Sequence, residues 1–254
     1  MSEVLLVERR DHVLVVTINR PQARNAIDRA VAEALAAAMD QLDADQGLLA
    51  AILTGTPPGF SAGMDLKAFT AGETPWIDGR GFAGITDRPP AKPLIAAVEG
   101  FAMAGGFEIA LACDLIVAAR GAQFALPEVK RGLFAAGGGL VRLPRRVPAN
   151  VASEIALTGE PILAERLHEL GLVNRLTEPG GALALSLDLA ALISANSPLG
   201  VRTTKAVLAA QEDWTSERAA TEQASLWAEV LAGEDAQEGV RAFAEKRPPV
   251  WRTH

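Results

Sequence analysis

Glu108 and Glu128 are the residues whose surroundings best suit acid–base chemistry. Glu108 stands just after Gly105-Gly106, in the first turn of a short apolar stretch, 107–112, that reads as a buried helix. Such a helix start exposes free N–H groups at the positive end of its dipole. The paired glycines let the backbone turn sharply and come close to a ligand. Glu128 follows Pro127 at the end of a later extended segment. Upstream, the loop 54–67 offers another exposed N–H at Met64, directly after Gly63. Each acid alone has an ordinary structural explanation, because the helix dipole favours a carboxylate in the first turn. Two carboxylates beside two backbone donors form a combination that can move protons while negative charge grows on an oxygen.

The elements that must position these groups are legible in part. Residues 93–98 are short, rich in β-branched side chains and bounded by Pro and Gly, so they read as a buried strand leading into the glycine turn. Strands are expected at 4–7 and 13–18, joined by a turn at Arg10-Asp11-His12, and again at 48–53, 115–119 and 172–176. Asp28 can cap a helix running to about Leu42, and Gly171 can close one over 164–170. Residues 149–157 read as helical. Gly137-Gly138-Gly139 lacks the Lys-Ser/Thr of a phosphate loop and reads as a helix start packed close to the pocket. The segment 70–90 mixes Gly, Pro and Asp with few periodic apolar residues and is expected to be mobile near the pocket mouth. From Gly181 the pattern is helical throughout, over 181–195, 198–211, 215–232 and 235–245. An α/β core over 1–180 and a helical region over 181–254 are therefore expected.

The loop 60–67, Phe-Ser-Ala-Gly-Met-Asp-Leu-Lys, and the run 100–108 followed by Cys113-Asp114 resemble the signatures of the crotonase family, the enoyl-CoA hydratase/isomerase superfamily. The resemblance continues through 19–26 and 243–247, so it spans essentially the whole chain in the family's order. Within the family, Gly-Gly-Phe-Glu, Ala-Leu-Pro-Glu and the ending Arg-Pro-Pro-Val-Trp look most like the carnitinyl-CoA dehydratase-like branch. The resemblance implies an α/β fold of repeated ββα units with a C-terminal helical extension. It also implies an acyl thioester of coenzyme A as substrate, with no separate cofactor and no metal.

By the same resemblance, the N–H groups of Met64 and Gly105 form an oxyanion hole for the thioester enolate, and Glu108 and Glu128 share the handling of water and the α-proton. Having both acids favours hydration over isomerisation. A carnitinyl-CoA-like dehydration and a non-catalytic acyl-CoA-binding role are the alternatives. Coenzyme A is expected against Ala23, Arg24, Asn25, Ala62, Asp65, Leu66 and Lys67. Phe243 and Lys246 would reach the nucleotide end from a neighbouring subunit, which implies a homotrimer or a hexamer. Where hydratases carry Pro-Gly-Ala-Gly, this chain has Ala135-Ala136-Gly137-Gly138. The resemblance places Ala136 at the water site, where its methyl would narrow the space and any positive φ would be costly. A glycine there is expected to speed hydration of a short enoyl-CoA.

Composition bounds the rest. A net charge of −7 argues against nucleic-acid and anionic-membrane binding. One cysteine, Cys113, excludes an internal disulfide and a multi-cysteine metal site, and reads as a small buried hydrophobe. No basic n-region with an apolar core is evident and no apolar run is long enough to span a bilayer, so a cytoplasmic protein is expected. His12, His168 and His254 lack ligand spacing and read as solvated. Arg142, Arg145 and Arg146 read as a solvated or subunit-facing basic cluster with no assigned role. Trp214 and Trp227 fit helix packing.

Overall fold

The computed structural model describes residues 3–252. The strands in chain order are β1 (Leu5–Arg10), β2 (Val13–Ile18), β3 (Ala50–Gly55), β4 (Trp76–Ile77), β5 (Gly81–Phe82), β6 (Leu94–Val98), β7 (Phe101–Met103), β8 (Leu115–Ala119), β9 (Gln123–Ala125), β10 (Ile162–Leu163) and β11 (Arg175–Thr177). The helices are α1 (Arg29–Ala44), α2 (Leu66–Thr70), α3 (Gly105–Ala112), α4 (Gly139–Arg142), α5 (Ala149–Thr158), α6 (Ala164–Glu169), α7 (Ala182–Ser194), α8 (Pro198–Ala210), α9 (Ser216–Ala232) and α10 (Glu234–Glu245). No single helix among the described residues is long and apolar enough to cross a membrane.

The main sheet has the order β1-β2-β3-β6-β8-β11, antiparallel at β1/β2 and parallel from β2 onward. A parallel sheet is buried on both faces, so its strands read as apolar runs rather than as alternating ones. Val13 and Val15 of β2, Ile52, Ile95 and Val117 pack on one face with Ala182 and Ala190 of α7. Leu14, Val16 and Ile18 point to the opposite face and join α1 and α3 in the larger core.

A smaller sheet, β10-β9-β7, lies beside it. Strands β7 and β9 pair in parallel, and an isolated parallel bridge from Ser61 to Ala102 extends the layer by one residue. The same sequence of events therefore occurs three times. A main-sheet strand (β3, β6, β8) leads to a short stretch in the small layer (Ser61, β7, β9), and then to a turn and a helix start. These are the repeated ββα units.

Strands β2 and β8 lie where the apolar runs place them. Asp28 caps α1, with its Oδ1 accepting from the Val31 N–H at 2.9 Å. Gly171 follows α6 with φ +85°. Cys113 is fully buried. His12 and His168 are exposed, each with Nδ1 near a carbonyl oxygen, and His254 lies outside the described residues. The segment 70–90 differs from expectation: it is built into the core. A β4–β5 hairpin seats Phe82, Ala83, Ile85 and Thr86 at 1% exposure or less. Its glycines mislead because Gly79, Gly81 and Gly84 serve positive-φ turns inside a packed loop. The small-layer strands are two or three residues long, too short for an alternating pattern to show. Strand β11 begins at Arg175 because Leu172 and Val173 are buried in the loop before it.

Asn25 pins the first turn of the site. Its side chain is fully buried, with Nδ2 donating to the carbonyls of Thr56 (2.6 Å) and Gly59 (2.7 Å) and Oδ1 accepting from the Arg20 N–H (2.9 Å). Its own carbonyl accepts from the Ser61 hydroxyl at 2.7 Å. Asn25→Leu strands these buried partners and is expected to cost about 2–3 kcal/mol of stability, read from the midpoint of urea unfolding.

Candidate active site

Both backbone donors follow a residue with positive φ. Gly63, with φ +88°, precedes Met64, and Ala104, with φ 52° and ψ −128°, precedes Gly105. The ψ of the preceding residue sets where an N–H points, so both amides turn out of the regular strand direction. For Ala104 this conformation carries strain of roughly 1–3 kcal/mol, held in place as its N–H donates to the Ala125 carbonyl at 2.9 Å. The Met64 and Gly105 amides have no carbonyl partner among the described residues.

The two turns lie against each other. A Cβ built on Gly63 would sit 2.7 Å from the Gly105 nitrogen, and one on Gly106 would sit 2.3 Å from the Ser61 carbonyl oxygen. One on Gly105 would strike the Phe82 ring at 2.4 Å. Phe82 thus backs the donor turn, with Trp76 edge-on to it at 5.0 Å between ring centroids.

Glu108 lies one turn into α3 and is 4% exposed. Its Oε1 accepts from the Gly139 N–H at 2.9 Å, at the start of α4. Burial pushes its carboxyl up to about 7; the amides of Gly139 and Gly137 and the charge of Arg142 pull the other way, and the charge of Glu128 adds to the rise. Glu128 is half-buried in the first turn of a 3-10 helix, Pro127–Arg131, directly after the small-layer strand β9. Burial also raises its carboxyl above the ordinary range, against its own backbone N–H and Arg131. Its Oε2 is enclosed without a hydrogen-bond partner among the described residues. Cys113 takes no part, since burial pushes its thiol up to about 12.

The residues expected at coenzyme A divide into two groups. Ala23, Arg24, Asn25 and Ala62 share one turn. Arg24 and Asn25 both have positive φ, the Ala62 N–H donates to the Arg24 carbonyl at 3.0 Å, and the Arg24 guanidinium lies 4.5 Å over Phe101. Asp65, Leu66 and Lys67 begin α2, whose first amides, Lys67 and Ala68, donate to Asp65 Oδ1 at 3.0 and 3.2 Å. Burial raises the Asp65 carboxyl, but these amides and Arg20 outweigh it and hold it below the usual range. Leu66 and Lys67 are exposed. Phe243 is 88% exposed near the end of α10, so it packs on little in its own chain, and Lys246 is exposed beside it in a left-handed turn.

Sequence reasoning missed three arginines. Arg20 joins the two halves of the loop site: its Nη2 lies 3.0 Å from both Asp28 and Asp65, and its Nη1 donates to the Ala26 carbonyl at 2.6 Å. Arg142 is turned inward rather than solvated, and Arg146 donates twice to the Cys113 carbonyl at 3.1 Å. Nothing short of the fold shows this, because arginines at such spacing resemble a surface cluster.

The sequence and the fold are matched in known proteins. The sequence matches the family described as enoyl-CoA hydratase/isomerase over residues 8–254. The crystal structure of an enoyl-CoA hydratase from Mycobacterium tuberculosis H37Rv superposes with a TM-score of 0.97 at 56% identity, covering 99% of both chains. The chain belongs to this family. Other relatives include the mevalonyl-coenzyme A hydratase sidH of Aspergillus fumigatus, 42% identical over 95% of this chain and 92% of that one. The carnitinyl-CoA dehydratase of Salmonella arizonae is 41% identical over the full length of both.

Within this crotonase fold the departure at Ala135-Ala136 has a definite location. Ala136 is exposed and is not among the positive-φ residues, whereas Ala135 is buried. The amides that reach Glu108 are those of Gly137 and Gly139, and a Cβ on Gly137 would meet Glu108 Oε2 at 2.8 Å. The steric argument therefore moves from Ala136 to Gly137. Gly137→Ala is expected to lower turnover of a short enoyl-CoA at least about tenfold by displacing Glu108, while Ala136→Gly leaves it within about twofold. Steady-state loss of enone absorbance checks both.

Proposed function

We propose that this chain is an enoyl-CoA hydratase that adds water reversibly across a 2-enoyl-CoA thioester, with Met64 and Gly105 as oxyanion donors and Glu108 and Glu128 as the acid–base pair. The observation that carries the reading is one buried and one half-buried carboxylate, both with raised affinity for protons, together with two turns that each supply one unpaired amide. Addition of water places negative charge on the thioester oxygen. Fixed N–H groups stabilise that charge without reorganising, and removing one such donor costs about 3–4 kcal/mol elsewhere. The relatives named as hydratases and a dehydratase of CoA thioesters support the same chemistry.

In the hydration direction, ionised Glu108 takes a proton from the attacking water, while Glu128 delivers one from Oε2 to the α-carbon. Adding the two protons together would neutralise the pair, and ionising both would set like charges side by side in a dry pocket. The site therefore works with one shared proton, titrating as a unit. Both acids having such surroundings favours hydration over isomerisation, which one acid can manage. A dehydration of a β-hydroxyacyl-CoA is the same reaction in reverse.

Coenzyme A lies across the turn of Ala23, Arg24, Asn25 and Ala62 and the start of α2 at Asp65, Leu66 and Lys67, in this reading. Phe243 and Lys246 reach the nucleotide end of a neighbouring subunit's ligand. The exposure of Phe243 together with Val240, one turn earlier on α10, supports that role, because contiguous exposed apolar surface marks an interaction site. The enzyme is accordingly a homotrimer, or a hexamer of two trimers, acting in the cytoplasm.

Purified protein is expected to consume crotonyl-CoA or a branched enoyl-CoA from a panel; tight binding with a flat absorbance trace selects a non-catalytic acyl-CoA-binding role instead. Glu108→Gln and Glu128→Gln are each expected to lower turnover by about two to four orders of magnitude with far less effect on acyl-CoA binding. Since burial raises Glu108 to about 7 and its ionised form is the base, kcat/KM is expected to fall as pH drops through about 7. A profile flat from pH 6 to 8, a range set by that value, removes Glu108 from the role. Phe243→Ser is expected to weaken acyl-CoA affinity about tenfold, the scale of an interface aromatic. A single-chain native mass by light scattering ends the shared-site reading.

A further inference from the structure

Arg142 is a charged residue near Glu108 that the reaction scheme does not use. It closes α4, and its side chain folds back over the glycine turn that holds Glu108. Nη2 donates to the Thr86 carbonyl, and Nη1 lies 3.4 Å from the Gly137 carbonyl. A Cβ built on Gly138 would fall 1.9 Å from Nη1, so that position, at φ +93°, has room only for glycine under the guanidinium. The Arg142 N–H also donates to the Gly138 carbonyl at 3.0 Å. The turn is thus held on both sides of the same residue.

The far end of this clamp matters as much. Thr86 is fully buried, and its N–H donates to the Phe82 carbonyl at 3.2 Å. Phe82 in turn backs Gly105 and lies 3.1 Å from a Cβ built on Gly137. One guanidinium therefore ties the loop behind the oxyanion donor to the turn that positions the base. Burying a guanidinium is costly unless nearby negative charge or acceptors offset it. The charges facing Arg142 are Asp87 and Glu108, which favour it, and Arg145 and Arg146, which oppose it; burial pulls its own proton affinity down. Glu108 is further faced by Glu128 and by the amides of Gly137 and Gly139.

We propose that Arg142 is a positioning residue for hydration: it clamps the Gly137–Gly139 turn to Thr86 so that Glu108 is aimed at the water. The inference rests on the hydratase reading for its kinetic arm. Arg142→Met keeps the length and removes the fork and the charge. Arg142→Lys keeps the charge and removes the fork.

With crotonyl-CoA, Arg142→Met is expected to lower kcat about ten- to a hundredfold with little change in KM. Loss of a nearby positive charge makes the carboxylate less favourable, so the acidic limb of the pH profile moves to higher pH. Arg142→Lys is expected to return that limb toward the parent's while kcat stays low. The same displacement is read without turnover by infrared titration of the Glu108 carboxyl, assigned by its loss in Glu108→Gln. An unchanged kcat and an unchanged Glu108 titration in Arg142→Met overturn the proposal. If that variant does not fold, Arg142→Lys decides, and parental kcat in it overturns the clamp. If the parent itself hydrates nothing, the hydratase reading fails and the infrared titration alone judges Arg142.

Discussion

The close approach of two backbone turns is the constraint on which this protein depends. The Gly63 turn and the Gly105 turn lie so near that no side chain fits between them. The amide of each turn follows a residue with positive φ. Parallel pairing in the small layer brings them together. The Met103 N–H donates to the Ser61 carbonyl at 2.9 Å, and the Ala104 N–H to that of Ala125. Equivalent positions of three successive repeats are thereby stacked, so that Met64, Gly105 and Glu128 emerge side by side from segments far apart in the chain. Ala104 is the one non-glycine at these turns. Its strain is tolerated because the pairing to β9 holds its backbone from the other side.

Around this frame, burial sets the chemistry. Desolvation is the largest influence on both glutamates, raising each above its ordinary proton affinity. The amides of Gly137 and Gly139 and the half-buried Arg142 limit that rise on Glu108. Two like residues thereby acquire different surroundings, which is how a pair of carboxyls can divide the work of acid and base. The glycines of 137–139 have a double use. Their amides reach the carboxylate, and the missing side chains leave room for Glu108 on one side and Arg142 on the other.

The C-terminal end has its own anchor. Glu238 of α10 is 6% exposed and accepts from Arg241, from Arg247 and from the Val250 N–H. These bonds, Arg247's first, hold its carboxyl far below the usual range. The Trp251 indole N–H donates to the Ala195 carbonyl at 2.7 Å, closing the tail onto the end of α7. A tail fastened this way presents Phe243 on a firm helix, although nothing in its own chain covers the ring.

Sequence alone determined much of the local structure: the strands β2 and β8, the cap at Asp28, the helical C-terminal run, and the turns before Met64 and Gly105. These follow from short-range rules of apolar patterning, capping and glycine turns, together with motifs whose spacing is tied to those turns. What only the tertiary structure decided are relations between distant segments. The 70–90 segment looked loose because its turn glycines hide a hairpin with a buried second strand, and Phe82 proves to pack against Gly105. Ala136 looked central by resemblance, and the structure adds that the amides reaching the carboxylate are those of Gly137 and Gly139. Arg142 looked like part of a surface cluster, and Arg20 carried no assigned contact. Their partners lie in other segments, on carbonyls and carboxylates that come within reach only after the repeats stack, so no pattern along the chain could have named them.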